Sequence, residues 1–258
     1  MSIRLSDIHV SGSFQGAQVP VLKRLSLEVP DGAHVGILGL PKSGKTTLLR
    51  AMCGTVDLDR GNVERTSRTS WPIPLSAIFI GSSSVACNIR LLARLYGIAD
   101  KTLPCRIAEL ADIAEFLNVQ LQKCPKFVKP RLAFGLGVGL DFDTYLFDGS
   151  LTPCDKDFKA RAAEIVGEKL KGCGYVVATA NPKEVEKSCD SVYVLEAGQA
   201  RYFDVMAEGM EYFKQLLAAQ KQKAAAEEGA KEAEAGEDEI EGPGDLDIAA
   251  AAIVDEIE

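Results

Sequence analysis

The stretch Gly39-Leu40-Pro41-Lys42-Ser43-Gly44-Lys45-Thr46 decides how the rest of the chain is interpreted. It fits the pattern G-x-x-x-x-G-K-[ST] of a phosphate-binding loop. A short apolar run over residues 35–38 precedes it and is typical of a buried parallel strand. Apolar residues at helical spacing follow it over residues 48–53, and Gly54 is typical of the residue that comes just after a helix. The pattern therefore predicts a strand, a phosphate loop and a helix in direct succession.

Each part of this loop has a chemical role in binding a polyphosphate. Glycines let backbone N–H groups turn towards the anion, and the following helix points its positive end at the same anion. We expect Lys45 to reach the β- and γ-phosphates and the Thr46 hydroxyl to bind Mg²⁺. The residues predicted to bind the nucleotide are Gly39, Leu40, Pro41, Lys42, Ser43, Gly44, Lys45, Thr46 and Thr47.

Length and composition indicate a soluble protein with one large α/β domain and a tail. The chain has 258 residues, of which 47% are hydrophobic and 26% are charged. No apolar run approaches the ~20 residues of a membrane helix, and the first residues lack the apolar core of a secretory signal. The seven cysteines show no C-x-x-C spacing, which favours reduced thiols in a cytosolic protein.

Charge divides the chain into a mildly basic body and a strongly acidic tail. Residues 227–258 hold 13 Asp and Glu and one Lys, a net charge of −12, whereas residues 1–226 hold 28 basic and 24 acidic groups. No basic patch carries interspersed aromatic residues, so nucleic-acid binding is not supported. We predict that residues 219–258 form a disordered, Ala- and Glu-rich tail, with a short docking helix near residues 248–257 left open.

Hydrophobic spacing predicts alternating strands and helices along the body. The predicted strands are 3–10, 22–29, 61–64, 144–148, 175–178, 191–195 and 200–203. Apolar stripes at helical spacing run over 89–96, 107–117, 158–170 and 206–222.

The strand at residues 144–148 ends in a second chemical signal. In P-loop NTPases, a carboxylate at the end of an apolar strand downstream of the loop holds Mg²⁺. Asp148 occupies that place here. We therefore predict that Thr46 and Asp148 are the metal ligands.

Three further segments resemble the ATP-binding subunits of ABC transporters, and more narrowly the ATPases of capsular-polysaccharide exporters. They are Ser70-Trp71-Pro72 with Leu75, Phe79, Gly81, Asn88 and Ala93-Arg94-Leu95-Tyr96; Arg131-Leu132-Ala133-Phe134-Gly135-Leu136; and Phe142-Asp143-Thr144-Tyr145-Leu146-Phe147-Asp148. The resemblance covers about residues 1–218. It implies a mixed sheet with flanking helices, a helical subdomain at about residues 82–140, and ATP and Mg²⁺ as cofactors. It also implies a transmembrane permease and a second ATP-binding subunit as partners, at the cytoplasmic face of the inner membrane.

The departures from the family pattern concern hydrolysis rather than binding. The resemblance places a water-contacting glutamine at Ile80, the catalytic glutamate at Gly149 and the switch histidine at Ala180. The signature motif, which caps the γ-phosphate of the opposite subunit's nucleotide, matches Cys124-Pro125-Lys126-Phe127-Val128 without its serine and glycine. The loop aspartate that follows the catalytic glutamate is kept as Asp155.

The adenine-stacking aromatic residue has no clear counterpart, and Phe14 is one possible substitute. We therefore predict no catalytic residues and weak or absent hydrolysis. The function that the resemblance implies is that of an ATP-binding subunit of a capsular-polysaccharide export complex. The alternative function is that of a non-transport regulatory or scaffolding protein that kept the fold. A P-loop kinase is less favoured, because no arginine-rich substrate lid is apparent.

Overall fold

The computed structural model describes residues 3–14, 16–74, 78–152 and 154–237. The chain separates into a compact unit of residues 1–215 and a second unit of residues 216–258. The strands are β1 (Ile3–Phe14), β2 (Ala17–Val29), β3 (His34–Gly39), β4 (Arg60–Arg65), β5 (Thr69–Ile73), β6 (Thr144–Asp148), β7 (Gly174–Thr179), β8 (Ser191–Glu196) and β9 (Gln199–Phe203). The helices are α1 (Lys45–Cys53), α2 (Val85–Leu95), α3 (Leu103–Leu110), α4 (Val128–Gly139), α5 (Lys159–Lys169), α6 (Pro182–Ser188) and α7 (Met206–Glu237).

The strands form two sheets, and the larger one carries both the phosphate loop and Asp148. The larger sheet has the order β5-β6-β7-β3-β8-β9, with all neighbours parallel except the antiparallel pair β8 and β9. The smaller sheet is antiparallel, with the order β2-β1-β4. Only β7 lies between β3 and β6, and ligands of open parallel sheets bind at the carboxyl ends of the strands. The sheet therefore brings the end of β3, where the phosphate loop starts, close to Asp148 at the end of β6.

A core between the two sheets packs against α1. Leu48, Leu49 and Met52 of α1 are fully buried, and they lie in one apolar cluster with residues of β1, β2, β3 and β7. β7 is buried along its whole length, as expected for a strand covered on both faces. Burial of this kind contributes roughly 1.5–3 kcal/mol for each large aliphatic side chain. The rigid base of the phosphate loop follows from this packing.

The stretch between β5 and β6 is helical, and one predicted helix is shorter than expected. The apolar stripe over 107–117 predicted a single helix, but α3 ends at Leu110 and a separate 3-10 turn covers Ala114–Phe116. Asp112 between them has φ 54°, a left-handed conformation that ends a helix. The apolar spacing continues across the break although only α3 contributes buried residues, so periodicity alone could not show where the helix ends.

Several boundaries differ from the sequence-based prediction. β1 and β2 each extend beyond the predicted strands, towards the hairpin between Phe14 and Ala17. β5 and α6 were not predicted; β5 is an edge strand that contains Pro72, and α6 is only seven residues long.

The helix predicted over 206–222 extends to Glu237. Its added residues are rich in Ala, Glu and Lys, which have high helix propensity. The rest of the predicted tail, residues 238–258, lies outside the described residues. Among the helices of the described part, none is long and apolar enough to cross a membrane.

Candidate nucleotide-binding site

The phosphate loop contains backbone conformations with positive φ, which residues other than glycine rarely adopt. Gly44, the residue before α1, has φ 100°, and Lys42 has φ 63°. These left-handed conformations turn successive N–H groups to one side of the loop, which forms an anion-binding concavity. At Gly39, an added Cβ would lie 2.5 Å from Ser43 Oγ. The two glycines of the motif are therefore required by geometry, at one position for φ and at the other for space.

Lys45 folds back onto its own loop. Its Nζ donates hydrogen bonds to the carbonyl oxygens of Gly39 at 2.8 Å and Leu40 at 2.7 Å. Burial lowers the pKa of Lys45, and the nearby Asp148 carboxylate partly opposes this effect. The ammonium group thus sits at the mouth of the loop, where a phosphate would replace neutral carbonyls as its partner.

Thr46 and Asp148 meet although 102 residues separate them. The Thr46 hydroxyl donates a hydrogen bond to Asp148 Oδ2 at 2.7 Å. A hydroxyl beside a carboxylate is an oxygen pair of the kind Mg²⁺ prefers. The two predicted metal ligands therefore lie side by side.

The loop also holds a buried polar atom that has no hydrogen-bond partner among the described residues. Ser43 Oγ is buried and makes no hydrogen bond to any described residue. A buried hydroxyl left unsatisfied costs about 1–3 kcal/mol, so such an atom is expected to meet a ligand or ordered water. Lys45, Thr46, Asp148 and Ser43 together fit a nucleoside triphosphate with Mg²⁺, whose metal would neutralise phosphate charge when bound.

The loop after β6 is held in place by α6. Gly149 follows Asp148 with φ 107°, and its N–H donates to Ala178 O at 2.8 Å. The Ser150 hydroxyl and the Leu151 N–H both donate to Glu184 Oε1, each at 2.8 Å. The Glu184 carboxylate therefore fixes the course of the chain just beyond the predicted metal ligand.

The segment around Ile80 is anchored through its backbone. Asn88, which is buried, accepts a hydrogen bond from Ile80 N–H at 2.8 Å and donates one to Ile80 O at 3.1 Å. The Ile80 side chain itself is 46% exposed. This position thus presents an apolar side chain to solvent and offers no polar group.

Comparison with known proteins identifies the family. A family model described as "ABC transporter" matches residues 22–87. The "ATP-binding protein BexA" of Haemophilus influenzae is 31% identical over 193 residues, which cover 75% of this chain and 89% of the relative. The chain belongs to the ABC transporter ATP-binding proteins.

Two other relatives in this family have similar coverage. The "Capsule polysaccharide export ATP-binding protein CtrD" of Neisseria meningitidis serogroup B is 29% identical and covers 76% of this chain and 91% of the relative. The "Polysialic acid transport ATP-binding protein KpsT" of Escherichia coli is 27% identical and covers 76% of this chain and 91% of the relative.

Solved ABC structures confirm the predicted fold class. An ATP-binding subunit of an ABC transporter aligns with a TM-score of 0.64 at 20% identity, covering 78% of this chain and 88% of that one. A dimeric ATP-binding cassette in a post-hydrolysis state with ADP and Pi aligns with a TM-score of 0.66 at 15% identity, covering 78% and 97%.

Within this ABC family member, the predicted site residues fall into two groups. The phosphate loop, Thr46 and Asp148 lie together. Ala180 is exposed and directly follows β7, and the segment Cys124–Val128 leads into α4, which starts at Val128. The Phe14 side chain lies outside the described residues.

Sequence reasoning missed the roles of Asn88, Arg131 and Glu184. Asn88 and Arg131 were noted only as part of the resemblance, and Glu184 was not noted at all. A polar residue on the apolar side of a helix was the one available signal, for Asn88 in α2 and Arg131 in α4. Their partners lie on other elements, so the sequence did not show them.

Proposed function

We propose that this chain is the ATP-binding subunit of a polysaccharide export complex. In this proposal it binds ATP with Mg²⁺, hydrolyses ATP weakly, and pairs with a second ATP-binding subunit. The observation that carries it is the 2.7 Å contact between Thr46 and Asp148 beside Lys45, with the orphaned Ser43 hydroxyl in the same loop. The capsule export and polysialic acid transport proteins among its relatives support the substrate class.

An exposed face of α2 supports a membrane-embedded permease as partner. Leu91 is 38% exposed and Leu95 is 69% exposed, on the same side of the helix as Arg90 and Arg94. Neither arginine forms an ion pair with a described residue. Exposed apolar side chains grouped with exposed arginines are typical of an interaction site. This face would attach the chain to a permease at the cytoplasmic side of the inner membrane.

Weak hydrolysis follows from the groups that stand at the catalytic positions. Gly149, Ala180 and Ile80 cannot polarise or deprotonate water. A positioned general base is typically worth 10²–10⁴ in rate. We therefore expect the chain to bind ATP and to hydrolyse it at a low rate.

The alternative is a regulatory or scaffolding protein that uses the nucleotide only for structure. Both functions require the phosphate loop, so ATP binding does not separate them. A bound permease does, since only the export function requires it.

Titration calorimetry tests the binding part of the proposal. The wild type should bind ATP with Mg²⁺, and Lys45→Ala should lose at least tenfold in affinity because the phosphate loses its cation. Lys183→Ala removes an exposed lysine on α6 and serves as the matched control. Equal binding by the wild type and Lys45→Ala would contradict the proposal.

A further inference from the structure

Arg131 is the one charged residue that is buried among the described residues, and it is only 8% exposed. It lies in the first turn of α4, three residues after Val128, with which that helix starts. Burial of an arginine is costly unless its donors are satisfied. The residues that satisfy the donors of this guanidinium therefore show which parts of the chain the buried arginine connects.

The Arg131 guanidinium joins three separate parts of the chain. Its Nε and Nη2 donate to the two carboxylate oxygens of Asp155 at 2.7 and 2.8 Å. Its Nη1 donates to Asp112 Oδ2 at 3.1 Å and to Asp112 O at 3.3 Å. A two-pronged pair with a carboxylate fixes orientation as well as distance. α4 is thereby tied to the turn after α3 and to the loop that leads into α5.

Two aromatic rings enclose the same guanidinium. Its central carbon lies 4.7 Å from the centroid of Phe127 and 4.8 Å from that of Phe158. Phe127 belongs to the segment before α4, and Phe158 is the residue before α5. Cation–π contacts of this kind contribute roughly 0.5–2 kcal/mol each. A shift of the loop before α5 therefore moves a group that Phe127 contacts directly.

The loop between β6 and α5 is held at both ends. Glu184 accepts hydrogen bonds from Ser150 and Leu151 at the start. Near the end, Asp155 pairs with Arg131 and also accepts the Phe158 N–H at 3.2 Å. Hydrogen bonds therefore fix this loop both near its start and near its end.

Gly149 connects this loop to Asp148 of the nucleotide site. Its φ of 107° suits only glycine, and a Cβ there would meet no atom within 4 Å. It directly follows Asp148, which bonds Thr46 in the phosphate loop. Ile80 offers no polar side-chain group, so the polar contacts that lead from Asp148 towards α4 are those of residues 149–152 and 154–158.

We propose that Arg131 is a positioning residue that couples nucleotide occupancy at Asp148 to the segment 124–131. The proposal rests on the proposed binding of ATP with Mg²⁺ by this chain. Binding replaces the Thr46 hydroxyl as the partner of Asp148, the loop 149–158 shifts about Gly149, and Arg131 carries the shift into α4. In this proposal, nucleotide binding alone changes the segment 124–131, and hydrolysis of the nucleotide is not required.

Hydrogen–deuterium exchange with and without ATP and Mg²⁺ tests the coupling. In the wild type, the ligand should slow exchange at least threefold in the phosphate loop, in residues 149–158 and in residues 126–134. In Arg131→Gln, the phosphate loop should still be protected, while the response of residues 126–134 is lost. Arg161→Gln is the matched control, because Arg161 contacts Asp112 and Glu109 O but makes no contact with Asp155. It should behave as the wild type.

A second variant covers the case in which Arg131→Gln does not fold. Asp155→Asn keeps the shape of the side chain and removes the charge that orients Arg131, so it should weaken the response of residues 126–134 in the same way. The coupling is refuted if residues 126–134 respond equally in all variants, or if they fail to respond in the wild type while the phosphate loop does. No protection anywhere, phosphate loop included, would instead refute the proposed function and the coupling together.

Discussion

Replacing Asp155 with Asn should destabilise the protein by an amount that depends on pH. The hydrogen bond from Arg131 holds the pKa of Asp155 at about 2, below its ordinary value of 3.8. A difference of that size corresponds to about 2.4 kcal/mol at ~1.36 kcal/mol per pKa unit. Asp155 keeps 29% of its side-chain surface exposed, and screening by solvent reduces this to about 1–2 kcal/mol.

The sign of the pH dependence follows from the direction of the pKa change. Because the folded-state pKa lies below the unfolded one, the carboxylate stabilises the fold fully above pH 3.8. That stabilisation is lost as the pH falls towards about 2, where Asp155 becomes protonated in the folded state as well. The wild type and Asp155→Asn should therefore differ at neutral pH and converge in acid.

Urea unfolding at a series of pH values measures this difference in the free energy of unfolding. Glu168→Gln is the control, because its ion pair with Lys171 is 3.3 Å long but both side chains are more than 70% exposed. The control should change stability by less than about 0.5 kcal/mol. Equal stability of Asp155→Asn and the wild type at pH 7, or a difference that does not shrink in acid, would refute the reasoning.

Two further predictions concern catalysis and partners. Gly149→Glu should not restore ATP turnover, because a glutamate at φ 107° is strained and its carboxylate would lack the orientation that a general base needs. Steady-state phosphate release measures this, and turnover like that of an intact ATPase would contradict the prediction. Co-purification in detergent should recover a transmembrane permease with the wild type and less permease with Leu95→Asp. The control Tyr202→Asp, which changes another exposed side chain, should recover as much permease as the wild type. Absence of a permease from every sample would favour the scaffolding alternative.

The local chemistry of the phosphate loop was predictable because its residues are contiguous. Gly44, Lys45 and Thr46 stand next to one another, and the φ values and hydrogen bonds of such a loop depend on neighbours within a few positions. The strand and helix around it were predicted for the same reason. The ABC-type fold class was also predicted and is confirmed by the solved structures.

Helix and strand limits needed the tertiary structure wherever the apolar pattern did not change. The stripe over 107–117 continues across Asp112, where the backbone turns and the helix ends. β5 owes its place to pairing with β6, since a strand with Pro72 has little strand signal of its own.

Contacts between distant residues were decided by the tertiary structure alone. Arg131 has its carboxylate partners 19 and 24 residues away, and Glu184 meets Ser150 across 34 residues. Electrostatic attraction and hydrogen bonding act over a few ångströms, and the sheet order and helix packing determine which side chains come that close. The sequence by itself determined which groups could bind a nucleotide, and the fold determined that Arg131 would tie the loop beyond Asp148 to α4.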